Sequence, residues 1–206
     1  MSAKFLYLLS AVAAPVVMLS TAPVAVAQAP DAARAPVQTL DDGLLAIMKG
    51  AKQLGFAGRA DRIGQTVDQA FDIPLMTRLA VGPAWTGFSA ADRAALVAGF
   101  RKLTVSQYAA NFDGYSGEKF IIDPKVETRA GDRLVRTTLV PAKGDKVSLS
   151  YRLRQSGGQW RIVDVFYQNA ISQIATRRAD FSAVVAKGGA KALIAHLNQL
   201  STKAAI

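Results

Sequence analysis

The chain has 206 residues, no cysteine, one histidine and a formal net charge of +10, and half of its residues are apolar. That length fits one domain, or one domain with a targeting segment, and the apolar fraction is too high for a disordered chain. Without cysteine there is no disulfide framework, thiolate metal site or cysteine nucleophile, and a lone His196 rules out a histidine-cluster metal site and argues against a Ser-His-Asp triad.

Met1 to Lys4 carries one positive charge, Phe5 to Leu19 carries none, and small residues follow as far as Ala25-Val26-Ala27. A basic start, a short apolar run and an A-x-A site predict a secretory signal peptide over residues 1–27. An uncleaved anchor needs about 20 apolar residues, and Pro15 and Pro23 interrupt this run. An exported basic chain meets anionic membrane surfaces and acidic proteins rather than nucleic acid, unless the charge serves solubility alone.

Residues 28–38, rich in Ala and Pro, read as a flexible leader, and residues 39–203 as a single domain. Thr39 is the expected N-cap of a first helix, with Asp42 three residues on. Leu40, Leu44, Ile47, Met48, Ala51 and Leu54 carry its apolar stripe, and Gly55 and Gly58 break it. A second helical segment covers Ala60 to Ala70, and a short third begins near Pro74, a favoured first-turn position for proline, and stops at Gly82-Pro83. Ser89, with Asp92 three later, opens a long helix from Ala90 to about Phe112.

The pattern then changes period. Phe120 to Ile122 reads as a strand ended by Asp123-Pro124, and Arg133 to Val140 as a second. From Lys146 to Arg154 apolar Val147, Leu149, Tyr151 and Leu153 alternate with Lys146, Ser148, Ser150, Arg152 and Arg154, which predicts a strand with one buried and one wet face. Ser156-Gly157-Gly158 turns it into Gln159 to Gln168. Three helical pieces close the chain, Ser172 to Arg178, Asp180 to Lys187 and Gly189 to Gln199. Helices, a run of strands, then helices predict an α+β fold with an antiparallel sheet of about four strands.

Chemistry-bearing residues are sparse. Asp72, Asp164 and Asp180 sit beside apolar residues, where a carboxyl with a raised pKa can act as a base, but no second acid or nucleophile stands at a telling spacing. Asp164 reads as a hydrogen-bond acceptor at a strand end, His196 as a surface or packing residue, and Gly157-Gly158 and Gly188-Gly189 as structural breaks. Aromatic and apolar residues are the richer signal. Phe71, Met76, Leu79, Trp85 and Phe88 crowd the link between the short and long helices, Tyr108 and Phe112 end the long one, and Tyr151, Trp160, Phe166 and Tyr167 lie on the sheet. They fill a core or line an apolar cavity, and both readings stay open.

Their order is similar to that of a known family. Phe71-Asp72, Met76, Gly82-Pro83-Ala84-Trp85, Ser89 to Phe100 and Leu103 to Tyr108 match its helical half. Tyr151 and Leu153, Trp160 to Val165, Ile171-Ser172, Arg177 to Phe181 and Leu193 to Leu197 match the rest. Over about residues 40 to 200 the chain resembles the MlaC family, the toluene-tolerance auxiliary components of ABC transporters. Ile171 to Phe181 most resembles the hopanoid-associated HpnM branch, and the chain has Ala170-Ile171-Ser172 where the main family usually has a Gly before the Ser.

The resemblance implies helices and a curved sheet around an apolar cavity, with no catalytic residue and no cofactor. It implies a periplasmic, monomeric carrier that shuttles a hopanoid or phospholipid between membrane-bound transport complexes and touches membrane surfaces transiently. The lipid-contacting positions it implies are Phe71, Met76, Leu79, Trp85, Phe100 and Leu103, then Tyr108, Leu149, Tyr151, Leu153, Val165 and Tyr167. Two other readings stand beside it: a small cone-shaped α+β enzyme using Asp164 or Asp72 on a steroid-like substrate, and a secreted protein-binding domain. Between Arg133 and Arg161 seven basic residues accompany one acid, Asp145, so Lys146, Arg152 and Arg154 are expected to form either a cationic docking face or a solvated one.

Overall fold

A computed structural model of the chain describes residues 31–205, so the expected signal peptide and the start of the leader lie outside the described residues. The elements are α1 (Arg34–Lys49), α2 (Ala51–Ala70), α3 (Ile73–Val81), a 3₁₀ turn (Gly82–Gly87), α4 (Ala90–Asn111), β1 (Lys119–Arg129), β2 (Asp132–Val140), β3 (Val147–Ser156), β4 (Gln159–Tyr167), β5 (Ile171–Ser172) and α5 (Gln173–Ala204). The five strands form one antiparallel meander in the order β1-β2-β3-β4-β5. The fold is α+β, with one more strand than the sequence pattern shows.

The first helix starts a turn before Thr39, so the leader is ordered from Arg34 onward. Two causes are visible. Asp31 Oδ1 accepts the Ala33 amide at 2.9 Å, and Ala33 and Val37 are fully buried against the core. Pro36 lies in the first turn, where backbone amides have no intrahelical partner and a missing N–H costs nothing. Gly50 then divides α1 from α2. The break expected at Gly55 is a kink inside α2, where its φ of 58° and ψ of −173° suit glycine alone.

Ser89 caps α4 through the Asp92 amide, as expected, and Asp72, read from the sequence only as a possible base, caps α3 through the Leu75 amide. The proline at position 124 does not end its strand. β1 runs on to Arg129 with a register shift between Ile122 and Val126, a bulge that absorbs the residue unable to donate. β5 is two residues long and pairs Phe166 with Ser172 and Tyr167 with Ile171.

The three C-terminal pieces are one helical element broken at Gly188 and Gly189. Gly189 has φ 61° and ψ −150°, a region essentially closed to L side chains, and no atom lies within 4 Å of where its Cβ would sit. Gly189→Ala therefore tests backbone strain free of any clash. A loss of about 1–3 kcal/mol in urea unfolding is expected, and an unchanged midpoint would mean that the helix can straighten at no cost.

Leu40, Leu44 and Ile47 of α1, Ile63 and Val67 of α2, Leu96 and Phe100 of α4, and Phe181, Leu193 and Leu197 of α5 share one apolar cluster with Val135, Tyr151, Leu153 and Ile162 of the sheet. Helices thus cover one face of the meander. No helix among the described residues is long and apolar enough to cross a membrane.

Candidate functional site

Packing is incomplete between the covered face of the sheet and the helices. A cavity of about 410 Å³ opens there, within the roughly 300–1,000 Å³ usual for small-molecule sites. Strand register builds one wall. Leu149 stands opposite Tyr167, Tyr151 opposite Val165 and Val147 opposite Leu139, so residues two apart on three strands point the same way. Leu44, Phe71, Met76, Phe100 and Tyr151 are buried and make the deep end. Asn111, Tyr167 and Gln173 are exposed and make the open end.

On α4 the lining positions are Phe100, Thr104, Gln107, Tyr108 and Asn111, a helical stripe at i, i+4, i+7, i+8 and i+11. An aromatic row extends it, with Phe71 to Tyr108 and Tyr108 to Phe112 both at 6.0 Å between ring centres. From α5 come Gln173, Ile174 and Arg177. The wall is apolar where it belongs to the sheet and to α1 and α3, apart from two tyrosines. Its amide, hydroxyl and guanidinium groups come from α4 and the first turns of α5.

Eight of the twelve expected positions line this cavity: Phe71, Met76, Phe100, Tyr108, Leu149, Tyr151, Val165 and Tyr167. Leu103, Leu153, Leu79 and Trp85 do not. Leu103 falls off the α4 stripe and is buried core. Leu153 lies beyond a bulge at Arg152/Leu153, where it pairs with Ile162 in the solid part of the core. Leu79 packs on the outside of the core, its carbonyl accepting two bonds from Arg178, and Trp85 lies beneath the Arg93 guanidinium at 5.8 Å. The sequence reading missed Leu44, Thr104, Gln107, Asn111, Phe112, Leu139, Val147, Gln173, Ile174 and Arg177 as lining residues. Continuing the α4 stripe from Phe100 through Tyr108 would have found three of them; Arg177 had no local signal.

The carboxylates considered for catalysis lie elsewhere. Asp72 is committed to the α3 cap. Asp164 accepts the Ser172 hydroxyl at 2.6 Å and the Ile174 amide at 3.1 Å, which ties the start of α5 to β4. Asp180 is exposed on α5, and His196 sits edge-on to Phe181 at 6.5 Å. Among the described residues no cluster of His, Cys, Asp or Glu fits a metal ion.

Two charged groups do stand out. Asp41, one helical turn before Leu44, is 1 % exposed and neither carboxyl oxygen has a hydrogen-bond partner. Burial, helped by the neighbouring Asp42 charge, pushes its pKa up to about 8. Burial chiefly, then the Asp41 charge, raises the Tyr108 and Tyr151 phenols as well. Arg177 is half-buried at the cavity wall, and desolvation lowers its pKa against the pull of Asp180.

The expected cationic face needs correction. Arg154 donates to both oxygens of Asp132 at 2.7 and 2.9 Å, and Arg152 lies 3.8 Å from Asp132 and 3.9 Å from Asp164. Acids from neighbouring strands neutralise two of the three basic residues. Lys146 makes no ion pair among the described residues.

Among curated proteins none matches the chain. Of solved structures, a phospholipid-binding protein from Ralstonia solanacearum, determined in complex with a phospholipid, is similar with a TM-score of 0.71 and 26% sequence identity over 84% of this chain and 99% of that one. The family model described as MlaC protein matches residues 38–199, most of the described helices and the entire sheet. The chain belongs to the MlaC family.

Proposed function

We propose that this protein is a lipid-binding carrier of the periplasm, holding the chains of a phospholipid or hopanoid in the cavity and exchanging them with membrane-bound transport complexes. The observation that carries the reading is the apolar void of about 410 Å³ left open by a chain with a well-packed core around it. A void of that size is costly unless something fills it. The phospholipid-bound relative supports the cargo class.

Energetics favour a cavity over a surface groove for such work. Each CH₂ exposed to water costs about 0.8 kcal/mol, so a C16 chain costs on the order of 13 kcal/mol in transit. Walls made of Leu, Val, Met and aromatic side chains cover that area without specific bonds that would hinder release. We read the protein as a carrier rather than an enzyme, since Asp72 and Asp164 are spent on caps outside the cavity. Export rests on the charge and apolar pattern of residues 1–27.

Native mass spectrometry of the protein purified gently from its own cells is expected to show a mass increment of one lipid, identified by extraction. A clean unliganded mass across several mild preparations would overturn the carrier reading.

A further inference from the structure

The sheet register divides the molecule into a mouth end and a far end. One row of paired residues crosses all five strands: Ile122, Thr137, Leu149, Tyr167 and Ile171. Beyond that row lie the start of β1, the tip of the β2–β3 hairpin and the β4–β5 turn, together with the loop from α4 to β1. The cavity opens at this end, where Leu139, Val147 and Asn111 line it. The turns at Ala130-Gly131 and Gly157-Gly158 close the far end.

Exposed apolar groups are sorted the same way. Among the described residues four large apolar side chains are exposed, at 42–57 %: Tyr115, Ile121, Tyr167 and Ile171. Two stand on the row, Ile121 is one residue past it, and Tyr115 is in the loop, so all four surround the mouth. They are separate knobs on a loop, a strand and a turn rather than one flat patch. A stable protein partner needs a continuous complementary surface of about 800 Å² per side. A fluid bilayer closes around knobs of any spacing. Tyrosine, an apolar ring with a polar tip, suits the depth where head groups meet chains.

Charge agrees with a lipid surface. Lys119, Lys143 and Lys146 are exposed at this end and make no ion pair among the described residues. The Lys49 ammonium lies 5.3 Å from the centre of the Tyr115 ring. Of the acids here, Glu118 accepts the Ser116 amide, and Asp113 and Asp145 remain. Four lysines against three acids leave a small positive excess, and flexible lysine stems can carry it outward to a surface.

We propose that the mouth end is a docking edge for an anionic bilayer, with Tyr115, Ile121, Tyr167 and Ile171 entering the interface and Lys119, Lys143 and Lys146 meeting its charge. This rests on the carrier reading above and adds the surface through which the carrier meets lipid. With the edge seated, the cavity opens against the bilayer and a chain can pass between them without crossing water.

The test uses protein purified from its own cells and sedimented with vesicles of phosphatidylcholine alone or mixed with phosphatidylglycerol. Wild type is expected to bind both and to favour the anionic vesicles. Ile121→Ser combined with Ile171→Ser should weaken binding to both by about 100-fold, roughly tenfold per apolar knob, with an unchanged melting temperature because both side chains are exposed. Lys143→Gln combined with Lys146→Gln should weaken binding to the anionic vesicles alone by about 30-fold, an effect that added salt erases. Lys187→Gln with Lys191→Gln, exposed about 20 Å or more along α5 from its start, should bind as wild type does. Wild-type protein that carries lipid by native mass spectrometry yet ignores both vesicles overturns the docking edge and leaves the carrier standing. So does undiminished binding by the Ile121 and Ile171 variant. Binding to membranes of its own cells that vanishes once they are stripped with protease, with none to vesicles, assigns the edge to a protein and overturns the lipid surface. Wild-type protein that carries no lipid overturns the carrier reading itself.

Discussion

Leu149→Trp is expected to abolish lipid uptake with little change in stability. Leu149 lies midway along the sheet wall, half-buried, with the cavity in front of it and Thr137 and Tyr167 beside it on the neighbouring strands. An indole there occupies space that the cargo needs and displaces no packed side chain. Leu153→Trp is the matched control, because Leu153 is fully buried away from the cavity. Overpacking it should cost about 1–3 kcal/mol, or roughly 2–12 °C of melting temperature for a chain of this size. Vesicle-to-protein transfer and thermal melts of both variants decide the matter. A Leu149→Trp protein that melts as low as Leu153→Trp would place Leu149 in solid core.

The second large effect is on pH dependence. Asp41 titrates near 8 in the folded chain and near 3.9 when unfolded, so the folded state holds a proton that the unfolded state has lost. Stability from this group is complete below about pH 4. It falls by about 1.4 kcal/mol per pH unit across pH 5–7 and levels off above about pH 8. Burial sets this balance first and the Asp42 charge on the same helix second, and the nearby Tyr108 and Tyr151 phenols, themselves raised, supply no cation. Urea unfolding at pH 5, 6, 7 and 8 should give a slope in wild type that Asp41→Asn loses. Parallel curves for the two proteins would show that the carboxyl reaches solvent or a partner. Asp41→Leu should also be stabilising, because it replaces two unsatisfied oxygens with apolar surface in an apolar place.

Local signals were legible wherever one residue decides the outcome. Ser89 and Asp92 marked α4, and alternation from Val147 to Leu153 marked β3 and its covered face. What escaped depends on partners far along the chain. Pro36 looked like leader material because the burial of Ala33 and Val37 is invisible without the core they join. β5 is two residues whose only reason to be a strand is the edge of β4. Asp41 drew no notice between Thr39 and Asp42, the expected capping pair, yet it is a buried acid on a helix already under way. The basic face looked uncompensated because Asp132, the acid that pairs with Arg154, precedes the basic window by one residue. Whether aromatic residues fill a space or surround one is a volume balance over five helices and five strands. No spacing encodes it, which is why Leu103 and Leu153 could not be told from Phe100 and Tyr151.

The bulge in β1 has a consequence for the protein as one molecule among many. β1 is an outer strand of the meander, and its free edge is a template on which another extended chain could add. Ile121, 57 % exposed on that strand, would favour such an addition. Pro124 withholds an amide, the register shift after Ile122 twists the ladder, and Lys119 and Lys125 place charge along the strand, while Arg129 is paired with Glu127. A newcomer strand finds only short, mismatched stretches to pair with. The irregularity that looked like the end of a strand thus guards this lipid-binding fold against edge-to-edge pairing with other sheets.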